Sequence, residues 1–248
     1  GTLAWMRHTG WICGLGVSGD LGRIAVGNRL GQLVVYDREG SDEVREDNLL
    51  KRYEATTATG MSPDGKFLAY SLLEKTPSIY LLNMDTRARR TFSSVFREHG
   101  SAVHTLQLSG NGSVLLAASG EGSIDTVYLF SSSGVLKWME HVPEILDMEI
   151  SSDGAMSLLG SEDGCIRAYA QTGNLSWTRC MDGAVQSLSF TPQGDLLAAG
   201  SREGEIILLS SDGTPVWDCH IDRFPSASVD AVEISGWGNA LVAVVNRN

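Results

Sequence analysis

One short turn, an apolar residue followed by Ser/Thr-x-x-Gly, recurs six times along the 248-residue chain and constrains its fold more than any other feature. It reads Val17-Ser18-Gly19-Asp20-Leu21-Gly22 (one residue longer than the rest), Met61-Ser62-Pro63-Asp64-Gly65 and Leu108-Ser109-Gly110-Asn111-Gly112. It continues as Ile150-Ser151-Ser152-Asp153-Gly154, Phe190-Thr191-Pro192-Gln193-Gly194 and Ile234-Ser235-Gly236-Trp237-Gly238. Successive final glycines lie 43, 47, 42, 40 and 44 residues apart. A period of that size marks an array of one supersecondary unit.

Each turn precedes a short apolar run: Ile24 to Val26, Phe67 to Tyr70, Val114 to Ala118, Met156 to Leu159, Leu196 to Ala199 and Ala240 to Val245. A third run follows in several repeats, as at Gln32 to Tyr36, Ile79 to Leu82, Val127 to Phe130 and Ile206 to Leu209. A fourth carries Gly-x-x-x-Trp, at Gly134 to Trp138, Gly173 to Trp177 and Gly213 to Trp217. The runs are too short for helices and rich in Val, Ile, Leu and Tyr, so they read as strands. Four antiparallel strands per repeat predict a propeller blade, whose two apolar faces are buried by its neighbours.

The expected fold is therefore all-β, a six-bladed β-propeller of four-stranded antiparallel blades forming one domain over residues 1–248. The repeats fall at roughly 11–50, 55–93, 102–140, 144–180, 184–220 and 228–248 plus 1–6. Gly1-Thr2-Leu3-Ala4-Trp5 matches the fourth-strand motif, and Gly1 to Ser18 spans the same 17 residues as Gly134 to Ser151. The N-terminal strand is thus expected to close the last blade, pairing with strands from Val229 to Val245. That blade lacks a third strand of its own. It is three-stranded, or completed by another segment, or part of a longer protein with room for a seventh blade.

The formal net charge of −11 disfavours nucleic acid as a partner, and no apolar run approaches the roughly 18 residues of a membrane span. There is no P-loop, no His-Glu-x-x-His and no Cys-x-x-Cys.

The repeats resemble the WD-repeat superfamily and its quinoprotein-like relatives along essentially the whole chain. Met61-Ser62-Pro63-Asp64-Gly65-Lys66-Phe67-Leu68-Ala69-Tyr70, with Ile79-Tyr80-Leu81-Leu82-Asn83 after it, resembles a blade of that superfamily or of the TolB-type propellers. Glu98-His99-Gly100 through Leu108 resembles the entry to a WD repeat's innermost strand, and the Gly-x-x-x-Trp strands resemble quinoprotein-type blades. No Trp-Asp dipeptide ends a third strand; the matching positions hold Tyr36-Asp37, Asn83, Phe130, Tyr169 and Leu209. The hydrogen-bond tetrad typical of WD repeats is therefore incomplete, and the adjacent Cys-Cys pair of quinoprotein dehydrogenases is missing. The resemblance implies an architecture and a tendency toward partner binding rather than a reaction.

Several residues stand out against this background. Trp5, Trp138, Trp177 and Trp217 share one register on outermost strands and are expected to pack between blades. His8, His141 and His220 follow three of them at one spacing, with Cys180 in the equivalent place; such positions lie too far apart for shared metal bonds, so no metal site is expected. Asp147, Glu149, Asp230 and Glu233 fall on innermost strands beside Thr105, Gln107, Ser187 and Ser189. They are candidates for solvated channel carboxylates, a cation site or acid–base chemistry.

Arg87, Arg89, Arg90 and Arg97, with Lys51 and Arg52, form a basic cluster against an acidic average. They could meet an acidic partner segment or decorate a strand edge. Trp11 and Trp237 break the repeat; Trp237 takes the place of Asp64, Asn111, Asp153 or Gln193, and an exposed Trp there suits a binding hot spot.

The leading expectation is a non-enzymatic scaffold, without cofactor, that binds a protein or peptide through its loop faces. The rivals are a quinoprotein-like or hydrolase-associated propeller using the acidic channel residues, and a structural repeat module of a cell-surface protein. Cys165 and Cys180 are expected to face each other, with Arg167 opposite Thr178 and Ala170 opposite Leu175. With Cys13 and Cys219 left over, the pair is expected to be reduced, as in a cytoplasmic protein.

Overall fold

Ser62, Asp64 and Gly65 explain why the turn recurs. The Ser62 hydroxyl accepts from the Phe67 amide at 2.9 Å and donates to Asp64 Oδ1 at 2.7 Å. The Gly65 amide closes the turn onto the Ser62 carbonyl at 2.8 Å, and Gly65 holds a φ of +70°, open to a residue without Cβ. The same hydroxyl-to-amide bond recurs at Ser18, Ser109, Ser151, Thr191 and Ser235. A local hydrogen-bond pattern thus punctuates the chain into strands.

The computed structural model describes residues 4–46, 56–72, 78–92, 102–120, 122–221 and 227–247. Among them all regular structure is β. The first sheet holds β1 (Ile12–Val17), β2 (Arg23–Asn28), β3 (Leu33–Asp37) and β4 (Asp42–Glu46), and the second β5 (Thr56–Met61), β6 (Phe67–Leu72), β7 (Ser78–Asn83) and β8 (Arg89–Phe92). The third holds β9 (Val103–Leu108), β10 (Val114–Gly120), β11 (Ile124–Ser131) and β12 (Leu136–Pro143). The fourth holds β13 (Ile145–Ile150), β14 (Met156–Ser161), β15 (Cys165–Ala170) and β16 (Leu175–Cys180). The fifth holds β17 (Val185–Phe190), β18 (Leu196–Ser201), β19 (Glu205–Ser210) and β20 (Pro215–His220). A last sheet pairs β21 (Ala227–Ile234) with β22 (Leu241–Arg247). Strands follow sequence order in every sheet, all pairings of known register are antiparallel, and the set fits a propeller of about six blades.

The chain divides into two compact units, Gly1–Glu121 with Tyr128–Leu136, and Gly122–Val127 with Lys137–Asn248. In the first, Ala25, Leu33 and Val35 share a core with Leu68, Tyr70 and Leu82 of the second sheet. In the second, Leu158, Ile166 and Ala168 pack with Leu188, Leu197 and Ile207. Middle strands are covered on both faces, so they read as continuous apolar runs instead of alternating ones. That is why β6 is buried at five of its six positions.

The register departs from expectation in two places. The glycine of each Gly-x-x-x-Trp lies in the turn before the strand: Gly134, Gly173 and Gly213 all have positive φ, and β12, β16 and β20 begin two residues later. Arg167 faces Thr178 and Cys165 faces Cys180 as expected, but Leu175 faces Tyr169 instead of Ala170, because a bulge at that end of the pair shifts the register by one. Gly1, Thr2 and Leu3 of the expected closing strand lie outside the described residues, as do Lys51, Arg52, Arg97 and Glu98-His99-Gly100.

The cysteine expectation is corrected. Cys165 and Cys180 form a disulfide, with Cys13 and Cys219 free. Their Cα atoms are 4.0 Å apart, closer than general strand geometry suggests. A thiol count in denaturant without reductant is therefore expected to return two free thiols; four would show the pair reduced.

Candidate functional site

The outer-strand aromatics have a structural role that the repeat register predicts. Trp138 stacks on Tyr169 at 5.4 Å and lies under Gly173, where a Cβ would come 2.8 Å from its own. Trp177 occupies the same place under Gly213, its indole N–H donating to the Ser211 carbonyl at 2.9 Å. Trp5 lies under Gly40, meets the Tyr36 ring in a tilted arrangement at 5.6 Å and donates to the Arg38 carbonyl at 3.0 Å. Phe92 does the same with Gly134 and Phe130. Each aromatic is thus clamped by the third-strand end and the glycine turn of the following sheet. Tyr36, Phe130 and Tyr169 each meet one of these aromatics, stacked in the Trp138–Tyr169 pair and tilted in the other two. Trp217 is the exception and is 40% exposed.

The innermost strands carry the acidic candidates, and here too a bracket between sheets emerges. Asp147 Oδ2 accepts from the Leu188 amide at 2.7 Å, and Oδ1 from the Met148 amide at 2.9 Å. At the equivalent position one sheet on, the Ser187 hydroxyl accepts from the Val232 amide at 3.1 Å, and Ser189 accepts likewise from Ile234. Asp147 and Glu149 are half-buried as residues, and burial is the largest influence on both carboxyls. Burial pushes the Asp147 carboxyl up to about 6, opposed by its backbone hydrogen bonds and reinforced by the charge of Glu233. Burial likewise raises Glu149 well above the usual carboxylate range, with the charges of Asp147 and Glu233 adding to it.

Glu233 accepts from the Ser189 hydroxyl at 3.1 Å, and Asp230 accepts from Ser228 at 2.5 Å. Among the described residues no group of three or more His, Cys, Asp or Glu is placed to hold a metal ion. His141 Nδ1 instead meets the Thr126 hydroxyl at 3.0 Å.

The basic cluster is largely occupied within the chain. Arg87 reaches Glu43 at 3.6 Å, Arg89 lies over Tyr80 at 5.3 Å, and Arg90 donates to the Ser132 carbonyl at 3.1 Å. Sequence reasoning missed Asp125, which is buried and accepts from the Ile145 amide at 2.7 Å. Its signal was an acid inside the apolar run of β11. It also missed Arg29, stacked 5.1 Å over the Trp11 ring.

Two large aromatics stand mostly in solvent. Trp11 is 74% exposed where the chain enters β1, with exposed Leu30 in the β2–β3 turn at the same strand end. Trp237 is 87% exposed in the turn between β21 and β22. In the second and fourth repeats the residue at its position caps the turn, as Asp64 and Asp153 do. Here Asn239 takes over that cap: the Ser235 hydroxyl lies 2.9 Å from Asn239 Oδ1. Relieved of the cap, position 237 tolerates an indole directed into solvent. The two tryptophans occupy opposite kinds of strand end, one before a first strand and one after it.

Residues 175–214 match the family described as "WD domain, G-beta repeat". A comparison with curated proteins found no match. The matched segment begins with β16, the outermost strand of the fourth sheet, and runs through the three inner strands of the fifth. The sequence repeat is therefore offset by one strand from the sheet, which places Trp177 and its Gly213 clamp in one repeat. With a WD repeat in the fifth sheet and four-stranded antiparallel sheets through most of the described residues, the chain fits a WD-repeat β-propeller family.

Proposed function

We propose that this chain is a non-enzymatic protein-interaction scaffold that binds a peptide or protein segment through its turn surfaces, with Trp237 as an anchor. The observation that carries the reading is the Trp237 side chain itself, 87% exposed in a turn whose side-chain hydrogen bonds come from Ser235 and Asn239. A large indole left in water has no folding role to retain it, and Trp is enriched at binding hot spots. The WD repeat supports a scaffold in general terms. Trp11 with Arg29 offers a second anchor at the other kind of strand end. Acid–base chemistry is less well supported, because both oxygens of Asp147 accept backbone amides.

The test is affinity capture from native lysate with quantitative mass spectrometry, comparing wild type with Trp237→Ala. The variant is expected to keep its unfolding free energy within ~0.5 kcal/mol, as for a surface change. Recovery of the specific partner is expected to fall about tenfold or more, the effect of losing a hot-spot residue. An unfolded variant would make Trp237 a core residue, and an unchanged capture profile would remove it from the binding surface.

A further inference from the structure

The chain leaving the β15–β16 turn reads Asn174-Leu175-Ser176, the Asn-x-Ser form of an asparagine that accepts N-linked sugar. Its surroundings keep both reacting side chains available. Asn174 is exposed, and its backbone is fixed by the Ala170 amide donating to its carbonyl at 2.9 Å. Ser176 is exposed and falls on the bulge, since Trp177 faces Ala168 while Leu175 faces Tyr169, so it faces no residue of β15. Among the described residues no hydrogen bond engages the Asn174 carboxamide or the Ser176 hydroxyl. The other Asn-x-Ser, Asn111-Gly112-Ser113, is committed to its own turn. Asn111 Oδ1 accepts from the Ser113 amide at 3.0 Å and from the Ser109 hydroxyl at 3.4 Å, and the Ser113 and Ser109 hydroxyls lie 3.3 Å apart. Sugar transfer there would undo the cap that starts β10.

Two further features of the same hairpin point the same way. The Cys165–Cys180 disulfide brackets the motif, and Cys180 is exposed. An accessible disulfide persists in an oxidising compartment, away from cytosolic thiol reductants, and secreted proteins are the ones that carry N-linked sugar. β16 is also the outermost strand of its sheet, with five of its six residues exposed and Leu175 among them at 53%. It carries one charged residue, Arg179, where β4 carries Asp42, Glu43, Arg45 and Glu46. A bulky sugar beside Leu175 guards this edge against pairing, as charge guards the edge of β4.

We propose that Asn174 is an N-glycosylation site and that this chain works in an oxidising compartment. The co-reactant is an oligosaccharide carried on a polyprenyl phosphate or pyrophosphate, delivered by a transferase. Asn174 Nδ2 forms a bond to the anomeric carbon as the bond from that carbon to the phosphate oxygen breaks. The lipid phosphate leaves with the electron pair, and Nδ2 gives up one proton to the transferase or solvent. The site stands apart from Trp237 and holds whether or not that residue anchors a partner.

The test uses the protein isolated from its own cells, with free thiols alkylated at lysis and peptides read by mass spectrometry. Trypsin cuts after Arg167 and Arg179, releasing Ala168–Arg179 with the motif and without either cysteine of the disulfide. That peptide is expected to be heavier by one oligosaccharide, with fragmentation placing the sugar on Asn174. The peptide Glu98–Lys137, which contains Asn111, is expected at its bare mass. Ser176→Ala, made in the same cells, is expected to lose the sugar, and Ser176→Thr to keep it. Both variants retain Asn174, so the contrast reads recognition of the motif. Ala168–Arg179 found only at its bare mass overturns the proposal, whether Cys165 and Cys180 are bonded or reduced. Sugar on Asn111 in place of Asn174, or sugar retained in Ser176→Ala, overturns it as well.

Discussion

Replacing Trp138 by alanine is expected to lower the unfolding free energy by about 3–5 kcal/mol, the range for removing a large aromatic from a packed core. Trp138 is 8% exposed, stacks on Tyr169 and fills the space under the Gly173 turn. Its loss uncovers that turn and opens a cavity between the third and fourth sheets' side chains, which the strand backbones are too rigid to refill. For a chain of this size the shift corresponds to roughly 6–20 °C in Tm. Gly173→Val attacks the same clamp from the other side. Its φ of +89° already excludes a β-branched residue, and its Cβ would press on the indole. Urea denaturation of the two variants, with Trp237→Ala as the surface control, measures the effect. A loss below about 1 kcal/mol for Trp138→Ala would show that the clamp does not hold the sheets together.

The second large effect is a pH dependence that Asp147→Asn should flatten. The folded carboxyl titrates at about 6 against an ordinary 3.8, so between those values the folded state binds more protons than the unfolded chain. The stability contribution is therefore fully present below about pH 3.8 and lost as pH rises through about 6. Two pKa units correspond to roughly 3 kcal/mol, and the partial exposure of the residue reduces this to about 1–3 kcal/mol. Between pH 4 and 7 the unfolding free energy of wild type is expected to fall by that much more than that of the variant. The comparison is of slopes, because an amide cannot accept both the Leu188 and Met148 amides and loses one hydrogen bond at every pH.

Glu149, raised in the same way with the charge of Asp147 adding to the effect, is expected to leave part of the slope in place. The turn carboxylates act in the opposite sense. Asp20, Asp153, Asp195 and Asp212 are held below the usual range chiefly by hydroxyl and backbone hydrogen bonds. Their contribution is present above the unfolded value and fades as pH falls through the folded one. Parallel slopes for wild type and Asp147→Asn would mean that Asp147 is solvated after all.

What the sequence determined by itself is the part of the protein written in local interactions. The Ser62–Asp64–Gly65 turn closes within a few residues, so its recurrence located the strands that follow it. The common register of Trp138 and Trp177 placed both at clamps between neighbouring sheets. Counting outward from Gly173 also placed Cys165 opposite Cys180, because hairpin register follows from turn position.

Only the tertiary structure decided what depends on partners far along the chain. Asp147 reads as a channel carboxylate until Leu188, 41 residues on, is found donating to it. The basic cluster dissolves into separate contacts with Glu43, Tyr80 and Ser132. Trp237 could be read as a departure from the turn consensus, but its freedom required seeing Asn239 assume the cap. Trp217 matched its repeat and still stands apart, because the glycine turn that would cover it is missing from the described part of the last sheet. Hydrogen bonds inside a turn repeat with the sequence and can be counted. A side chain's partner across two sheets is set by how those sheets pack, and no spacing within one repeat encodes it.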